Sequence, residues 1–509
     1  MVELKEKLNA IVDTAENFRT KVLLENEEEI IKKGKLDIKL IHYIEDQVFE
    51  DDLRRQLILS KLALKDGVSI SRLAKELDLE EFDIYSHLLH LESEGKVESI
   101  STKDELVFRT RISEIVEGEL LRLSLLPPTD VAVGQSVQNI LATRLCTFCG
   151  LCVSACPVNA LSVSDNGPIL DEEVCIHCSL CFENCPRTFL PIGLLKGYIL
   201  GKIINPDHHL KEEPIGPYKK YVMAQCTDDA IKAVKQDGGV VTSLVASLLE
   251  KGEIDGAVVV GLEADPWKPK PRIIRNITEL LKCAGTKYAM SPNLSLLDTV
   301  RKSECDRICV VGTPCMLQAL RKYQVFYGDV FSDIFGEIVA VLGLFCMESF
   351  PYEGLKKIAE KGGVQLSDVK KTDINKGKFF LHMSEGDPIE LPIAEVAEFA
   401  REACHYCVDL TSELADISVG SIGAASGWST AVIRTDVGKR IFENAVEEGY
   451  LRINEKPINI ELVEKLSKRK KSRNSKAVLK KYQQSPEIPP HYYFSIKELT
   501  LKKKVNEQL

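Results

Sequence analysis

Two cysteine runs of the same spacing constrain this chain more than any other feature of its sequence. Each run has the pattern C-x2-C-x2-C-x3-C-P. Three closely spaced thiolates can bind one face of a [4Fe–4S] cluster, and in this pattern the fourth cysteine ligates the other cluster. The spacing therefore predicts two clusters with exchanged fourth ligands. One would be bound by Cys146, Cys149, Cys152 and Cys185, and the other by Cys175, Cys178, Cys181 and Cys156.

A zinc site and a disulfide framework are the alternative interpretations of these cysteines. Zinc sites usually combine two cysteine pairs across a longer gap, not two runs of four that each end in proline. The start of the chain, MVELKEKLNA, lacks the apolar core of a signal peptide. The longest apolar run, Ile338 to Met347, is too short to span a bilayer. We therefore expect a cytoplasmic protein, in which 16 cysteines favour metal over disulfides.

The length of 509 residues allows several domains, each with its own core. Changes of pattern and turn-forming residues divide the chain into five predicted segments. These are a helical arm over 1–65, a winged-helix-like unit over 66–125, a two-cluster ferredoxin domain over 138–205, a core over 218–450 and a basic helical tail over 451–509.

The winged-helix-like unit raises the question of DNA binding. SRLAKELD predicts a first helix, Glu80 to Glu94 a second helix, and VESIS with ELVFRT the two wing strands. The stretch from Glu80 to Lys96 would face DNA, yet it has Lys96 as its one Lys or Arg and carries an acidic excess that repels phosphates. The formal net charge of −10 points the same way. Protein docking is the favoured interpretation, and nucleic acid is not an expected partner.

From about residue 218, strand patterns alternate with helical patterns, which predicts an α/β core. The predicted strands are Tyr221 to Ala224, Gly256 to Leu262, Arg307 to Gly312, Ala415 to Gly420 and Ser429 to Thr435. Helices are predicted for VVTSLVASLLEKG and MLQALRKY. A glycine fingerprint G-x-G-x-x-G that opens a helix is absent, so a conventional dinucleotide site is not predicted.

Four further cysteines lie where loops are expected. They are Cys315, Cys346, Cys404 and Cys407. Thiolates at strand ends and in the pair CHYC could bind a third [4Fe–4S] cluster, although buried free cysteines are also common. Cys226, Cys283 and Cys305 have no such partners, and Cys309 fits a strand within the core.

Six motifs of this core, in order along the chain, carry a family resemblance. They are QDGGVVTSLV, AGTKYAMSP, VVGTPCMLQAL, GLFCMES, CHYCVDLTSELADISVGSIGA and GWSTAVIRT. Over roughly 220 to 450, the chain resembles the beta subunit of the F420-reducing hydrogenases and its relatives in formate dehydrogenases and F420H2 dehydrogenases. The implied fold is an α/β core of the F420 hydrogenase beta-subunit type, joined to an α+β 2[4Fe–4S] ferredoxin domain and an N-terminal helical, winged-helix-like region.

The resemblance implies FAD, coenzyme F420 as substrate, and one cluster on Cys315, Cys346, Cys404 and Cys407. It implies flavin phosphate contacts for Gly238, Gly239, Val240 and Thr242, which fits a helix N-terminus, although such a glycine pair also occurs as a simple cap. It implies catalytic positions near the flavin ring for Thr286, Lys287 and Tyr288, where the alternative for Lys287 is a solvated loop lysine. Further cofactor contacts are implied for Gly285, Ser291, Asp416, Ser418, Gly420 and Gly423.

The predicted function is a flavin and iron–sulfur oxidoreductase that passes electrons between F420H2 and ferredoxin or a partner enzyme, through FAD and three [4Fe–4S] clusters. The alternative is the F420-reactive subunit of a hydrogenase, formate dehydrogenase, carbon monoxide dehydrogenase or heterodisulfide reductase complex. A redox-responsive regulator is a third hypothesis, which the acidic second helix disfavours. The basic stretch from Lys465 to Lys481 predicts a solvated helix face, or a surface for the F420 tail or an acidic partner.

Overall fold

The computed structural model describes residues 136–188, 190, 192–200 and 214–484, together with parts of 51–110. The helical arm predicted over 1–65 lies almost wholly outside these residues. The end of the unit predicted over 66–125 and the last part of the segment predicted over 451–509 also lie outside them. Within the described residues, no helix is both long and apolar enough to cross a membrane.

The N-terminal unit contains two helices and a small antiparallel sheet. Its elements are β1 (Val68–Ser69), α1 (Ile70–Leu77), α2 (Glu81–Ser93), β2 (Val97–Ser101) and β3 (Leu106–Thr110). β3 pairs with both β1 and β2, so the sheet order is β1-β3-β2. Apolar residues of both helices and the sheet form one buried cluster. The two helices and two strands predicted there are present, while the winged-helix interpretation itself stays a prediction.

The ferredoxin unit has short elements around its two cysteine runs. They are α3 (Val137–Ala142), α4 (Leu151–Ser154), β4 (Leu161–Ser164), β5 (Gly167–Leu170), α5 (Leu180–Glu183) and α6 (Ile192–Leu200). α4 and α5 each begin after the second cysteine of a run and contain the third. Both are preceded by a left-handed residue, Gly150 at φ 89° and Ser179 at φ 60°. The two halves therefore repeat one local conformation.

An eight-stranded mixed sheet forms the centre of the molecule. Its strands are β6 (Lys220–Cys226), β7 (Gly256–Leu262), β8 (Pro269–Ile274), β9 (Arg307–Gly312), β10 (Glu337–Leu344), β14 (Ile417–Gly420), β15 (Ser429–Ile433) and β16 (Leu451–Asn454). The order is β16-β6-β15-β14-β10-β9-β7-β8. β7, β9, β10 and β14 run parallel, and the outer strands pair antiparallel.

Helices cover both faces of this sheet. They are α7 (Asp229–Val234), α8 (Val240–Glu250), α9 (Ile277–Cys283), α10 (Pro314–Phe335) and α13 (Asp436–Glu447). Neighbouring residues of β10 enter opposite cores, with Val341 in the cluster shared with α10 and the ferredoxin unit, and Leu342 in the cluster shared with α8 and α13. Because strand residues alternate between faces, the central strands are apolar on both sides. Cys309 is fully buried there, as predicted.

A second, three-stranded antiparallel sheet was not predicted from the sequence. It comprises β11 (Lys371–Asn375), β12 (Lys378–His382) and β13 (Ile389–Pro392), with α11 (Tyr352–Lys361) and α12 (Ile393–Val396) packed beside it. Its buried residues form one cluster with Ala289 and Phe350. This sheet therefore rests against the segment that follows the GTKY motif.

The last described element is the long helix α14 (Ile460–Gln484). It contains the basic stretch that the sequence predicted as a solvated face. Many of its cations are exposed, but Lys470 and Lys471 are buried, with 2% and 8% of their surface accessible. The exposed cations fit the predicted solvated face, while Lys470 and Lys471 lie on the side of the helix that packs against the loops of the third cysteine group.

Candidate redox site

The structure brings the two cysteine runs together in the exchanged arrangement. Burial raises the pKa of Cys149 to about 12, and the largest charge acting on it is that of Cys185, from the other run. Burial likewise raises the pKa of Cys178, and its strongest charged neighbour is Cys156, again from the other run. Each group of three thus has the fourth cysteine of the opposite run beside it.

Backbone N–H groups point at the sulfur atoms in both halves. Phe148 N–H donates to Cys146 Sγ at 3.4 Å, and His177 N–H donates to Cys175 Sγ at 3.4 Å. Both donors follow their cysteine by two residues and have positive φ, 63° and 57°. The left-handed conformation turns the amide toward the sulfur. Amide donors of this kind stabilise thiolates, so the loops suit anionic metal ligands.

The third group assembles from three separate loops. Cys315 lies in the first turn of α10, directly after β9, and Cys346 follows β10. Cys404 and Cys407 lie in and just after a turn of 3₁₀ helix before β14. Because β9 and β10 are parallel neighbours, their carboxyl ends share one edge of the sheet. All four thiols line a cavity of about 360 Å³, a volume that includes its part open to solvent.

The four thiols of the third group are also electrostatic neighbours. Burial, together with the charge of Cys315, raises the pKa of Cys404 to about 11. Burial also raises the pKa of Cys346, where the thiolates of Cys404, Cys315 and Cys407 act in the same direction. Buried thiols that oppose one another's ionisation are unfavourable as free anions. A bound cationic metal centre would remove that cost.

The described cysteine sulfurs are not grouped closely enough for a single tetrahedral zinc ion. Zn–S bonds of about 2.3 Å would place the thiolates of one tetrahedral site about 3.8 Å apart. Among the described residues, no three cysteines have all of their sulfur atoms within 4.8 Å of one another. The cysteines are also free thiols, without disulfides. The described groups are therefore too open for one zinc, whereas a four-iron cluster holds its ligands farther apart.

The three cysteine groups follow one another in space. Cys181, of the second group, acts on the ionisation of Cys152 in the first. Cys315, of the third group, acts on Cys149 in the first. Arg401 joins the first and third groups, because it donates to Cys146 O at 3.3 Å and lines the cavity of the third group. The first group is therefore the middle one.

The glycine pair lies in the loop between α7 and α8. Gly239 is the N-cap of α8 with φ 72°, a left-handed conformation that favours glycine. At Gly238, a Cβ atom would come within 2.6 Å of Ala224 O and Ser429 N, so only glycine fits. Its own N–H already donates to Ser429 Oγ at 2.9 Å. Val240 is buried and Thr242 half-buried in the first turn.

The GTKY segment lies between this glycine loop and the third cysteine group. Thr286 N–H donates to the Gln236 side chain at 3.4 Å, which connects it to the glycine loop. Tyr288 O accepts from Ser349 Oγ at 2.8 Å, and Ser349 O in turn accepts from Cys404 Sγ at 3.8 Å. The predicted flavin segments therefore meet the predicted third cluster through one short stretch of backbone.

Lys287 is not a solvated loop lysine. Its ammonium donates to the backbone carbonyls of Cys283, Ala284 and Gly285, at the C-terminal end of α9. Burial lowers its pKa to about 8, against an opposing influence from the thiol of Cys283. The ammonium therefore stabilises the end of this helix, an interaction that the motif alone did not reveal.

Other predicted cofactor contacts are occupied by the protein itself. The Asp416 carboxylate accepts from Arg321, from Val341 N–H and from Thr435. Ser418 Oγ accepts from Arg434 and donates to Ser412 O. These bonds indicate structural roles for both side chains.

The remaining predicted cofactor residues are close to other parts of the chain. At Gly420, a Cβ atom would overlap the Phe345 ring, and Gly423 has φ 86°. Gly285 has φ 81° and is exposed. Ser291 is buried, and its hydroxyl has no hydrogen-bond partner among the described residues.

Models of known protein families match most of the residues in this site. The model of the coenzyme F420 hydrogenase/dehydrogenase beta subunit N-term matches residues 221–298, and that of its C terminus matches residues 305–458. A 4Fe-4S dicluster domain model matches residues 134–190. Both cysteine runs therefore lie in an iron–sulfur domain, and all four cysteines of the third group lie in the C-terminal family segment.

Comparison with individual relatives shows to which family the chain belongs. The coenzyme F420 hydrogenase subunit beta of Methanosarcina barkeri is 41% identical, over 52% of this chain and 94% of its own length. A subunit of the F(420)H(2) dehydrogenase of Methanosarcina mazei is 31% identical, over 67% of this chain and 93% of its own length. The chain belongs to the coenzyme F420 hydrogenase/dehydrogenase beta subunit family.

A solved relative agrees with this membership. A chain of the F420-reducing [NiFe] hydrogenase complex from Methanosarcina barkeri is 38% identical, with a TM-score of 0.51 over 53% of this chain and 95% of that one. The coenzyme F420-dependent sulfite reductase of Methanocaldococcus jannaschii is 33% identical, over 67% of this chain but 51% of its own length. The family resemblance seen in the sequence is confirmed, and the chain is an oxidoreductase.

The sequence did not predict that α14 contributes to this site. Asn474 Nδ2 donates to Cys404 O at 3.0 Å and Cys407 O at 2.6 Å. The buried positions of α14 recur at helical spacing, from Val463 through Ser467 and Asn474 to Val478. This spacing is typical of the buried face of a helix. Because several of these buried residues are polar, the sequence does not show the face as an apolar pattern.

A buried carboxylate beside the glycine loop gives a pH prediction. Burial, together with the charge of the nearby Asp373, raises the pKa of Asp237 to about 6, against the opposing effect of Lys371 and Lys235. Between its ordinary value of 3.8 and about 6 the folded state holds a proton that the unfolded state has lost. Stability from this group is present below that window and is lost as pH rises through it.

Asp237→Asn should therefore stabilise the protein at pH 8, by about 1–2 kcal/mol after allowance for partial exposure, and much less at pH 4. Melting temperatures of both proteins across this range, measured without oxygen, provide the check. Asp387→Asn, on an exposed turn, is the control and should show no such difference. An equal gain at both pH values would contradict the assignment.

Proposed function

We propose that this chain is an F420-dependent oxidoreductase subunit that connects F420H2 to ferredoxin or a partner enzyme, with FAD and three [4Fe–4S] clusters. The observation that carries the proposal is the position of the GTKY segment, hydrogen-bonded to the glycine loop at Gln236 and to the third-group loop at Ser349. Names of the relatives support F420 as the reactant. A bound flavin exchanges hydride with such a carrier and single electrons with clusters, which carry one electron each.

The chain's own residues would hold and orient these groups. We place the flavin phosphates at Gly238, Gly239, Val240 and Thr242, where the N-terminus of α8 offers the positive end of its dipole and the amides of its first turn, although the Gly238 N–H already donates to Ser429. Thr286, Lys287 and Tyr288, together with Gly285 and Ser291, would line the ring. The four cysteines of the third group would bind the cluster nearest to it. Because hydride transfer needs close alignment of two rings, these residues act mainly by positioning.

The order of the cysteine groups supports a docking position for a redox partner. The third group adjoins the GTKY segment, the first group lies beside the third, and the second group lies beyond the first. The second group is also the more exposed, since Cys175 and His177 reach the surface. A redox partner would therefore dock near Cys175. The N-terminal unit, with its acidic second helix, would dock a protein and not DNA, which a gel shift at low salt can test.

Anaerobically purified protein tests this function directly. We expect bound FAD, about twelve irons per chain by the stoichiometry of three four-iron clusters, and dye reduction with F420H2. NADH serves as the control reductant and should give no comparable rate. Dye reduction by NADH but not by F420H2 would overturn the substrate, and iron near eight per chain would overturn the third cluster.

Replacing Lys287 by alanine tests the GTKY segment. The change removes a buried ammonium that holds three carbonyls at the end of α9, so the loop beside the flavin should lose its fixed position. We expect F420-linked turnover to fall about ten- to a hundredfold, which corresponds to about 1.4–3 kcal/mol of transition-state stabilisation. Iron content should stay constant. Lys282→Ala, on the exposed side of α9, is the matched control. A full rate and full FAD content in the Lys287 variant would refute the placement.

A further inference from the structure

A buried ammonium lies against the third cysteine group. Lys470 Nζ donates to Cys346 O at 2.6 Å and to Asp409 O at 2.8 Å. The side chain lines the same cavity as all four cysteines, and only 2% of the residue surface is accessible. Among the described residues, no carboxylate lies within salt-bridge distance of this ammonium. Its charge is therefore left to act on the thiolates.

The helix that carries Lys470 is held on both sides of it. Asn474 donates to the carbonyls of Cys404 and Cys407, one turn farther along α14. Lys471 pairs with Glu413 at 2.5 Å, and Ser467 Oγ donates to Pro214 O. These contacts keep the Lys470 side chain from extending into solvent, the usual arrangement of lysine at a protein surface.

The carboxylates near the cavity do not form an ion pair with this cation among the described residues. Arg187 and Arg401 line the cavity as well, so the local charge is positive before ligands are ionised. The carboxylate of Glu413 is already paired, with Lys196 and Lys471. Asp409 faces Lys470 through its backbone carbonyl.

We propose that Lys470 is a positioning residue that raises the reduction potential of a cluster bound by Cys315, Cys346, Cys404 and Cys407. The inference rests on the proposed third cluster. Reduction adds one electron, and thus one negative charge, to a cluster ligated by four thiolates. A fixed cation at low dielectric stabilises the more negative form, and the hydrogen bonds from Lys470 to Cys346 O and Asp409 O orient the ligating loops. The third cluster would then accept electrons readily from the flavin side.

Neutral variants separate the charge from the hydrogen bonds. Lys470→Gln keeps N–H donors without the charge, and Lys470→Met removes both. Lys468→Met, two residues away with 62% of its side chain exposed, is the matched control. Redox titration monitored by electron paramagnetic resonance would follow each cluster, and the third is identified by its loss in Cys315→Ser. Iron content provides the second readout.

We expect Lys470→Gln and Lys470→Met to retain about twelve irons, and Lys468→Met to match the wild type in both readouts. The third cluster should become at least tenfold harder to reduce, a shift of about 59 mV for one electron. Lys470→Arg should restore most of the wild-type potential. The other two clusters should not move.

Three results would overturn the inference. They are unchanged potentials in both neutral variants, a shift in Met but not in Gln, and loss of iron in both variants. If the wild-type protein contains about twelve irons, any of these three results contradicts the role of Lys470 but not the proposed function. Wild-type iron near eight would remove the third cluster itself, and this inference with it.

Discussion

Replacing Cys315 by serine should lower the iron content from about twelve to about eight atoms per chain, because one of three four-iron clusters loses a ligand. The ferredoxin pair should remain, since the contacts of the two cysteine runs do not depend on the Cys315 side chain. FAD should also remain bound. F420H2 should still reduce that flavin in a single turnover, while steady-state reduction of an acceptor by way of the ferredoxin unit should fall to near background.

The control for this experiment is Cys283→Ser. Cys283 is half-buried at the end of α9 and has no other thiol among the groups that influence its ionisation. Its replacement should leave iron and electron transfer unchanged. If Cys315→Ser retained all of its iron and its full steady-state rate, the third site would not be a cluster. Iron that fell equally in both variants would point to general instability.

The central strands could be predicted because their signal is local. The strands at Gly256–Leu262 and Arg307–Gly312 have the bounds expected from the sequence. Both are continuous apolar runs, as strands buried on two faces must be. The run from Ile338 was considered only as a possible membrane segment, although it forms β10 at Glu337–Leu344. The small sheet was missed because half-exposed strands such as Lys371–Asn375 alternate weakly.

The cysteine groups show a similar division. The exchange of Cys156 and Cys185 between clusters follows from a spacing rule, and the structure places both accordingly. The third group could be anticipated because Cys315 and Cys346 both follow strands, and parallel neighbours bring such loops together. The roles of Lys470 and Asn474 could not be anticipated. Their partners are backbone carbonyls distant in sequence, and a basic helix gives no local sign of them.

Replacing Glu413 by glutamine should destabilise the protein by about 3–5 kcal/mol, because it leaves two buried ammonium groups without their counterion. Lys196 and Lys471 both lie 2.5 Å from this carboxylate, and all three side chains are at most 10% exposed. Lys196 belongs to α6, at the end of the ferredoxin unit, and Lys471 to α14. The loss should therefore loosen the ferredoxin unit and the C-terminal helix from the third-group loops.

The pH dependence of this triad has the opposite sign to that of Asp237. Burial alone would raise the pKa of Glu413, but Lys196 and Lys471 hold it at about 2. A lowered carboxyl pKa contributes stability that is present above the ordinary value of 4.5 and is lost as pH falls toward about 2. The Glu413→Gln variant should therefore be least stable, relative to the wild type, at pH 7. The difference in stability should become smaller as the pH falls.

A triple variant decides whether the charges or the packing carry this effect. Changing Lys196 and Lys471 to methionine together with Glu413→Gln removes every charge while keeping similar side-chain volumes. Because buried ion pairs are often replaceable by apolar groups, the triple variant should recover most of the lost melting temperature. Lys219→Met, which removes a cation from the exposed pair with Asp436, is the control and should change little. A triple variant no more stable than Glu413→Gln would show that its geometry, not the uncompensated charge, holds these three elements together.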